Sequence, residues 1–310
     1  MFGKIIDFFK SIFGIKQKWP YKKDYEHGKG TSLPKFGVTI HCGGPANLVI
    51  TDIIAAKNLK ADSIRITIDA ESFDSHKSNW LKYVDTAKQG NMTTLCLLTM
   101  SAKNSQQKYP SINSGKQFDD AWNSYLDDFI DTFKHYKLNI IIQVLNEVNS
   151  SNFWDVSPTR YMEILKMTYV KLKEKGFINI IMSGLVGSTD PDGYITSYVR
   201  ELVILGLWQY TDAFCFHWYL GNDKKYTWAA IKNVADAIHM GCNKPTLITE
   251  FGNSQIAQQP ITFDHFYKTF GKEYSINSMY WYCMRVHDEF ALLNEDGSKR
   301  SIYNYIQQSR

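Results

Sequence analysis

From residue 36 onward, short apolar runs alternate with stretches whose apolar residues recur every three or four positions. Eight such runs stand out: FGVTIHC (36–42), SIRITI (63–68), TTLCLLT (93–99), NIIIQVL (139–145), INIIMSG (178–184), AFCFHWY (213–219), PTLITEF (245–251) and SMYWYCM (278–284). They are nearly continuous in apolar residues, not alternating, as expected of parallel strands covered on both faces. Their starts lie about 25 to 45 residues apart, room for one helix and two loops each time. The intervening helices are legible too. Trp122, Tyr125, Leu126, Phe129, Ile130 and Phe133 mark one face of a helix over 118–136. Ser157-Pro158 supplies a cap and a first-turn proline for a helix over Thr159–Lys175, which stops at Gly176. Eight β/α units predict a closed (β/α)8 barrel of class α/β as a single domain over 36–310. No GxGxxG follows the first strand, which argues against a dinucleotide-binding sheet.

The chain before that rhythm reads differently. Phe2, Ile5, Ile6, Phe9, Ile12 and Phe13 recur at helical spacing, with lysines mostly opposite, so 1–19 is expected to be an amphipathic helix with a basic face. Lys4, Asp7, Lys10 and Lys16 break the apolar centre that a signal peptide requires. Such a helix suits peripheral contact with an anionic membrane, contact with a protein partner, or packing on its own barrel. Residues 20–35, with Pro20, Gly28, Gly30 and Pro34, read as a linker. No run of apolar residues reaches the length of a membrane span.

Composition adds exclusions. A net charge of +4 over 310 residues is too small to argue for nucleic acid, and no zinc-finger or RNP-type pattern is present. The five cysteines, Cys42, Cys96, Cys215, Cys242 and Cys283, include no CxxC pair, and four fall inside predicted strands, where they act as small apolar groups. No clustered His/Asp/Glu pattern calls for a metal or another cofactor. Aromatics make up 15% of residues, a surplus compatible with stacking on sugar rings as well as with an aromatic core.

The chemistry concentrates where the predicted strands end, because barrel active sites form at the carboxyl ends of the strands. The fourth strand runs into Asn146-Glu147, the sixth into His217-Trp218-Tyr219 and the seventh into Glu250-Phe251-Gly252; the second carries Arg65 and the eighth Trp281. Strands four and seven lie across a barrel from each other, so Glu147 and Glu250 can face one another over its mouth. Two carboxyl groups, one protonated and one ionised, are what cleavage of a glycosidic bond needs.

The chain resembles the large clan of retaining (β/α)8 glycoside hydrolases, with families 5 and 39 nearest in character. The resemblance covers about 36–310. It rests on Leu145-Asn146-Glu147, Phe216-His217-Trp218-Tyr219, Thr249-Glu250-Phe251-Gly252, Tyr280-Trp281 and the segment from Phe290 to Lys299. It implies that Glu147 is the acid/base and Glu250 the nucleophile, acting on a β-linked oligo- or polysaccharide without a cofactor. It further implies that Asn146 bonds the sugar 2-hydroxyl and that Arg65 keeps Glu250 ionised. Tyr219 or His217 would bond the nucleophile or line the subsite, and Trp281 would floor it. The two carboxyl groups are then expected about 5–5.5 Å apart. The segment Val148-Asn149-Ser150-Ser151-Asn152 departs from the clan, lacking its polar and aromatic aglycone-side residues. Two other readings use the same residues: a glycan-binding barrel without turnover, and a transglycosylase.

Overall fold

A computed structural model describes residues 32–100, 109–150, 154, 156–186, 194–220, 244–273, 275–285 and 289–310. The expected amphipathic helix over 1–19 and most of the linker lie outside these residues. So does Cys242, whereas Cys42, Cys96 and Cys215 are free thiols.

Nine ladder segments build eight parallel strands. They are β1 (Lys35–Ile40), β2 (Ser63–Asp69), β3 (Thr93–Thr99), β4 (Ile140–Val144), β5 in two pieces (Ile180–Ile181 and Leu185–Val186), β6 (Phe214–Leu220), β7 (Thr246–Asn253) and β8 (Ser278–Trp281). Each pairs with its sequence neighbours, and β8 returns to β1 with Lys35 opposite Ser278. The first piece of β5 pairs with β4 and the second with β6, so the sheet curls into a closed barrel. Around it lie α1 (Ala46–Asn58), α2 (Phe73–Gln89), α3 (Lys116–Phe133), α4 (Pro158–Glu174) and α5 (Tyr194–Ile204). After β7 comes a helical run, α6 (Gln259–Thr262), a π-helical stretch (Phe263–Phe270) and α7 (Gly271–Glu273), and the chain closes on α8 (Ser301–Ser309).

The local reasons match the sequence signals. The α4 helix opens with the Ser157 side chain accepting from the Arg160 N–H and Pro158 in its first turn, and it is followed by Gly176 at φ 85°. On α3 the residues Trp122, Tyr125, Leu126, Phe129, Ile130 and Phe133 are all buried, as their spacing predicts. Along β2 the side chains alternate: Ile64, Ile66 and Ile68 are fully buried among apolar neighbours, while Arg65 reaches polar groups within the barrel.

One predicted strand is interrupted, and the interruption matters for the site. Over 178–184 the ladder breaks because side chains take the backbone donors: the Met182 N–H donates to Thr211 Oγ1 at 3.0 Å and the Ser183 N–H to the Tyr161 hydroxyl at 2.6 Å. Gly184 is thereby released to bridge Asn146, and its carbonyl accepts the Glu147 N–H at 3.0 Å. The Asn149 side chain then clamps Val186, accepting its N–H and donating to its carbonyl, both at 3.0 Å. The stretch after Glu147 is therefore a fastening between β4 and β5.

Candidate active site

Glu147 owes its position to an unusual turn. Leu145 and Glu147 both adopt positive φ, 63° and 46°, on either side of Asn146. For non-glycine residues this conformation costs about 1–3 kcal/mol each, and here the surrounding hydrogen bonds enforce it. The Leu145 N–H donates to Leu98 O at 3.0 Å and the Ser150 N–H to Glu147 O at 2.8 Å. In a regular strand two consecutive residues would face opposite sides. The turn lets both Asn146 and Glu147 serve the barrel mouth.

Four strands converge on Glu250 and Glu147. The Arg65 guanidinium donates from Nη1 to Glu250 Oε1 at 2.6 Å, from Nη2 to Asn146 Oδ1 at 2.7 Å and from Nε to Gln143 Oε1 at 3.0 Å. The Tyr219 hydroxyl donates to Glu250 Oε2. His217 stands between the two acids, its Nδ1 2.8 Å from Glu147 Oε1 and 3.5 Å from Glu250 Oε2. A carboxylate oxygen of Glu147 and one of Glu250 lie within 4.8 Å of each other. The charged members are nearly enclosed; Arg65 is 2% exposed, Glu147 7% and Glu250 6%.

This enclosure acts on charge in a definite direction. Burial alone pushes the Glu250 carboxyl up, but the charges of His217 and Arg65 and the hydrogen bonds from Tyr219 and Arg65 outweigh it, so the group is held below the usual carboxylate range. Burial and the negative charge of Glu250 raise the Tyr219 hydroxyl well above its ordinary value, which keeps it a donor. Glu250 is thus an ionised carboxylate with two hydrogen-bond donors on it, Arg65 and Tyr219.

Among the described residues, Glu147, His217 and Glu250 form one cluster whose ligand atoms could surround a cation. Arg65 opposes that use, because its guanidinium already neutralises Glu250 from 2.6 Å.

Trp281 sits elsewhere than a sugar floor requires. Its ring is fully buried, packed on Phe251 at 5.2 Å and Phe263 at 6.4 Å, with Nε1 donating to Phe290 O at 2.9 Å. It belongs to the layer between β8 and the helical run after β7, since its neighbour Tyr280 takes the inward position beside Gly37 and Ser63. The partly exposed aromatic at this strand end is Tyr282. Its ring meets His41 at 5.3 Å, Tyr219 at 5.6 Å and Phe290 at 6.0 Å. Sequence reasoning also missed Gln143, a lone polar residue in the apolar run of β4, which orients Arg65 and donates to Leu145 O at 3.2 Å. That break in the apolar run was the available signal.

The contrast between the two neighbours is testable. Trp281→Ala is expected to lower stability by about 3–5 kcal/mol, the range for emptying a large aromatic from a core, as read by urea denaturation. Tyr282→Ala, on a partly exposed ring, should cost less stability than Trp281→Ala in the same assay while weakening saccharide binding in calorimetry.

Gly184 holds the imidazole in place from behind. A Cβ built there would lie 2.1 Å from His217 Nε2 and 2.6 Å from Thr249 Oγ1, both buried atoms without a hydrogen-bond partner among the described residues. Gly184→Ala must displace the ring, at about 1–3 kcal/mol for the overpacking. Thermal melting should show that loss, and any activity should fall with it, while an unchanged melting curve would mean the ring has room to move.

No protein-family model and no curated protein sequence matches the chain. Solved structures, in contrast, match its fold over most of its length. A family 39 glycoside hydrolase from the gut symbiont Bacteroides cellulosilyticus WH2 aligns with a TM-score of 0.67 and 14% identity, covering 89% of this chain and 63% of that one. Gas2p of Saccharomyces cerevisiae, in complex with laminaritriose and laminaritetraose, aligns at 0.57 and 15%, covering 91% and 64%. A glucosidase from Croceicoccus marinus gives 0.61 and 8%, covering 91% and 68%. At these identities the likeness establishes the barrel fold. The chain spans slightly under two thirds of the length of the first two.

Proposed function

We propose that the chain is a retaining O-glycosyl hydrolase acting on a β-linked oligo- or polysaccharide. The observation that carries the proposal is the pair of enclosed carboxyl groups, Glu147 and Glu250, whose oxygens approach within 4.8 Å. Retaining glycosidases place their two carboxyl groups about 5–5.5 Å apart, whereas inverting ones leave about 6.5–9.5 Å for a water. The asymmetry of the environment favours one division of labour. Glu250, ionised by His217 and Arg65, attacks the anomeric carbon as Glu147 donates a proton to the departing glycosidic oxygen. Glu147 then takes a proton from water, which attacks the glycosyl–enzyme ester and releases the sugar with its original configuration.

The remaining residues take supporting parts. Asn146, oriented by Arg65, is placed to bond a hydroxyl of the reacting sugar. Tyr219 and Arg65 hold the nucleophile, and release of those hydrogen bonds accompanies charge loss on Glu250. The platform assigned to Trp281 passes to Tyr282, whose partly exposed ring lies at 5.6 Å from that of Tyr219. The glycoside hydrolase neighbours, one of them holding laminaritriose and laminaritetraose, support a saccharide as the ligand class.

The test is covalent trapping. A panel of 2-deoxy-2-fluoro β-glycosides with good leaving groups, laminari-type sugars included, should give a stable adduct whose peptide map falls on Glu250. Proton NMR of a turned-over substrate should show the β-anomer first. Initial release of the α-anomer would overturn the mechanism. Saccharide binding without adduct or turnover anywhere in the panel would replace the hydrolase with a glycan-binding barrel. Transfer to a sugar acceptor in preference to water would make the same residues those of a transglycosylase.

A further inference from the structure

The end of the barrel opposite the site has its own chemistry. Strands begin there and helices end there, so the residues that gather at this end can be read from the element boundaries. Exposed lysines do so from every described quarter: Lys35 opens β1, Lys57 and Lys60 close α1, Lys88 ends α2, Lys134 caps α3 and Lys175 caps α4. Of the carboxylates at the same end, Asp131 in the last turn of α3 and Glu201 in the last turn of α5 are exposed, and two others are engaged. Asp62 accepts the Phe36 N–H and pairs with Arg310, and Asp212 accepts the Ile180 N–H and pairs with Lys173. Glu174 is exposed among them.

Lysines at helix C-termini have an ordinary explanation, since they complement the helix dipole. That explanation does not reach Lys35 or Lys60, and it says nothing about the apolar residues between them. Five of the most exposed large aliphatics of the molecule lie at this end: Leu33 at 51%, Leu138 at 61%, Ile178 at 47%, Ile204 at 63% and Leu205 at 41%. They stand before β1, between α3 and β4, between α4 and β5, and at the end of α5. The segment that precedes residue 32 joins the barrel at this same end, and its first 19 residues carry lysines opposite Phe and Ile at helical spacing.

We propose that this face docks on an anionic lipid surface together with residues 1–19, leaving the catalytic mouth turned outward. Lysines supply attraction to acidic headgroups and the aliphatic side chains enter the interface between them. A nucleic acid would satisfy the lysines but leave the aliphatics in water, so lipid is the better fit. The proposal is independent of the glycosidase reading. Among the described residues no helix is long and apolar enough to cross a membrane.

Vesicle co-sedimentation of the full chain tests it. Binding is expected to vesicles containing phosphatidylserine and not to phosphatidylcholine alone. Reversing Lys57, Lys60, Lys134 and Lys175 to glutamate, with residues 1–19 intact, should weaken binding at least tenfold, about the least that four surface charges contribute. A second variant, Leu138→Asn with Ile178→Asn, should weaken it severalfold and decides the matter if the charge-reversed chain misfolds by circular dichroism. Hydrogen exchange on vesicles should protect the 58–61 and 137–139 loops. Undiminished binding by the folded variants, absence of binding to acidic vesicles, or preference for duplex DNA over them would each overturn the proposal.

Discussion

Replacing Glu250 with glutamine should abolish turnover, lowering kcat by about 10⁵-fold or more, as for other enzymes stripped of a covalent nucleophile. The amide keeps the shape of the side chain; its oxygen can still accept from Arg65 while its NH2 donates to the Tyr219 hydroxyl oxygen, so the loss would be chemical. Replacing Glu147 with alanine should behave differently. General acid catalysis contributes about 10² to 10⁴, and an aryl glycoside with an acidic leaving group needs little of it in the first step. The glycosyl–enzyme should then accumulate, and azide, small enough for the vacated space, should attack it to give the β-glycosyl azide. An α-azide from the Glu147 variant, or azide rescue of the Glu250 variant alone, would exchange or dissolve the two roles. Steady-state kinetics on the aryl glycoside of the sugar that traps best, with NMR of the azide product, provides the measurement.

That asymmetry could be anticipated only in part from the chain. The barrel was legible because parallel strands buried on both faces write continuous apolar runs, and because α3 and α4 carry their spacing and caps openly. That Arg65, Asn146, Glu147, His217, Tyr219 and Glu250 gather at one end of the barrel was legible because they interrupt or terminate those runs. Trp281 misled for the same reason. A large aromatic at a strand end suits a mouth and a core equally, and which side it takes depends on strand parity: with Tyr280 turned inward beside Gly37, Trp281 must turn outward. The turn at Leu145–Glu147 left no mark either. Positive φ is usually announced by glycine or asparagine, and here the hydrogen bonds of Leu145, Glu147 and Ser150 impose it on leucine and glutamate. The break in β5 lay hidden because Thr211 and Tyr161, which take its donors, are distant in sequence.

Arg65 is where catalysis and stability become one question, and Arg65→Met is expected to be among the most destabilising single substitutions in the protein. Methionine approximates the stem of arginine, so the lost quantity is the charge and its three hydrogen bonds. Glu250 would remain buried without its guanidinium, and Gln143 Oε1 and Asn146 Oδ1 would lose their donor. Breaking one side of a buried ion pair lowers stability by about 3–5 kcal/mol. The pH dependence supplies the sign. The carboxyl of Glu250 lies below its ordinary value in the folded wild type. Its pairing therefore stabilises the fold fully above the unfolded carboxylate range and is lost as pH falls through the lower folded value. In the variant, burial is opposed only by His217 and Tyr219, so the group rises from its wild-type position and the deficit is relieved as acid protonates it. The gap between wild type and variant in urea denaturation should thus be widest near neutral pH and narrow as pH drops below about 4. Adding Glu250→Gln to Arg65→Met should restore much of the loss at neutral pH, since no buried charge then lacks its counterion. A gap below about 1 kcal/mol, or one that widens in acid, would mean that Arg65 does not hold Glu250 ionised, and the nucleophile would need another source of its charge.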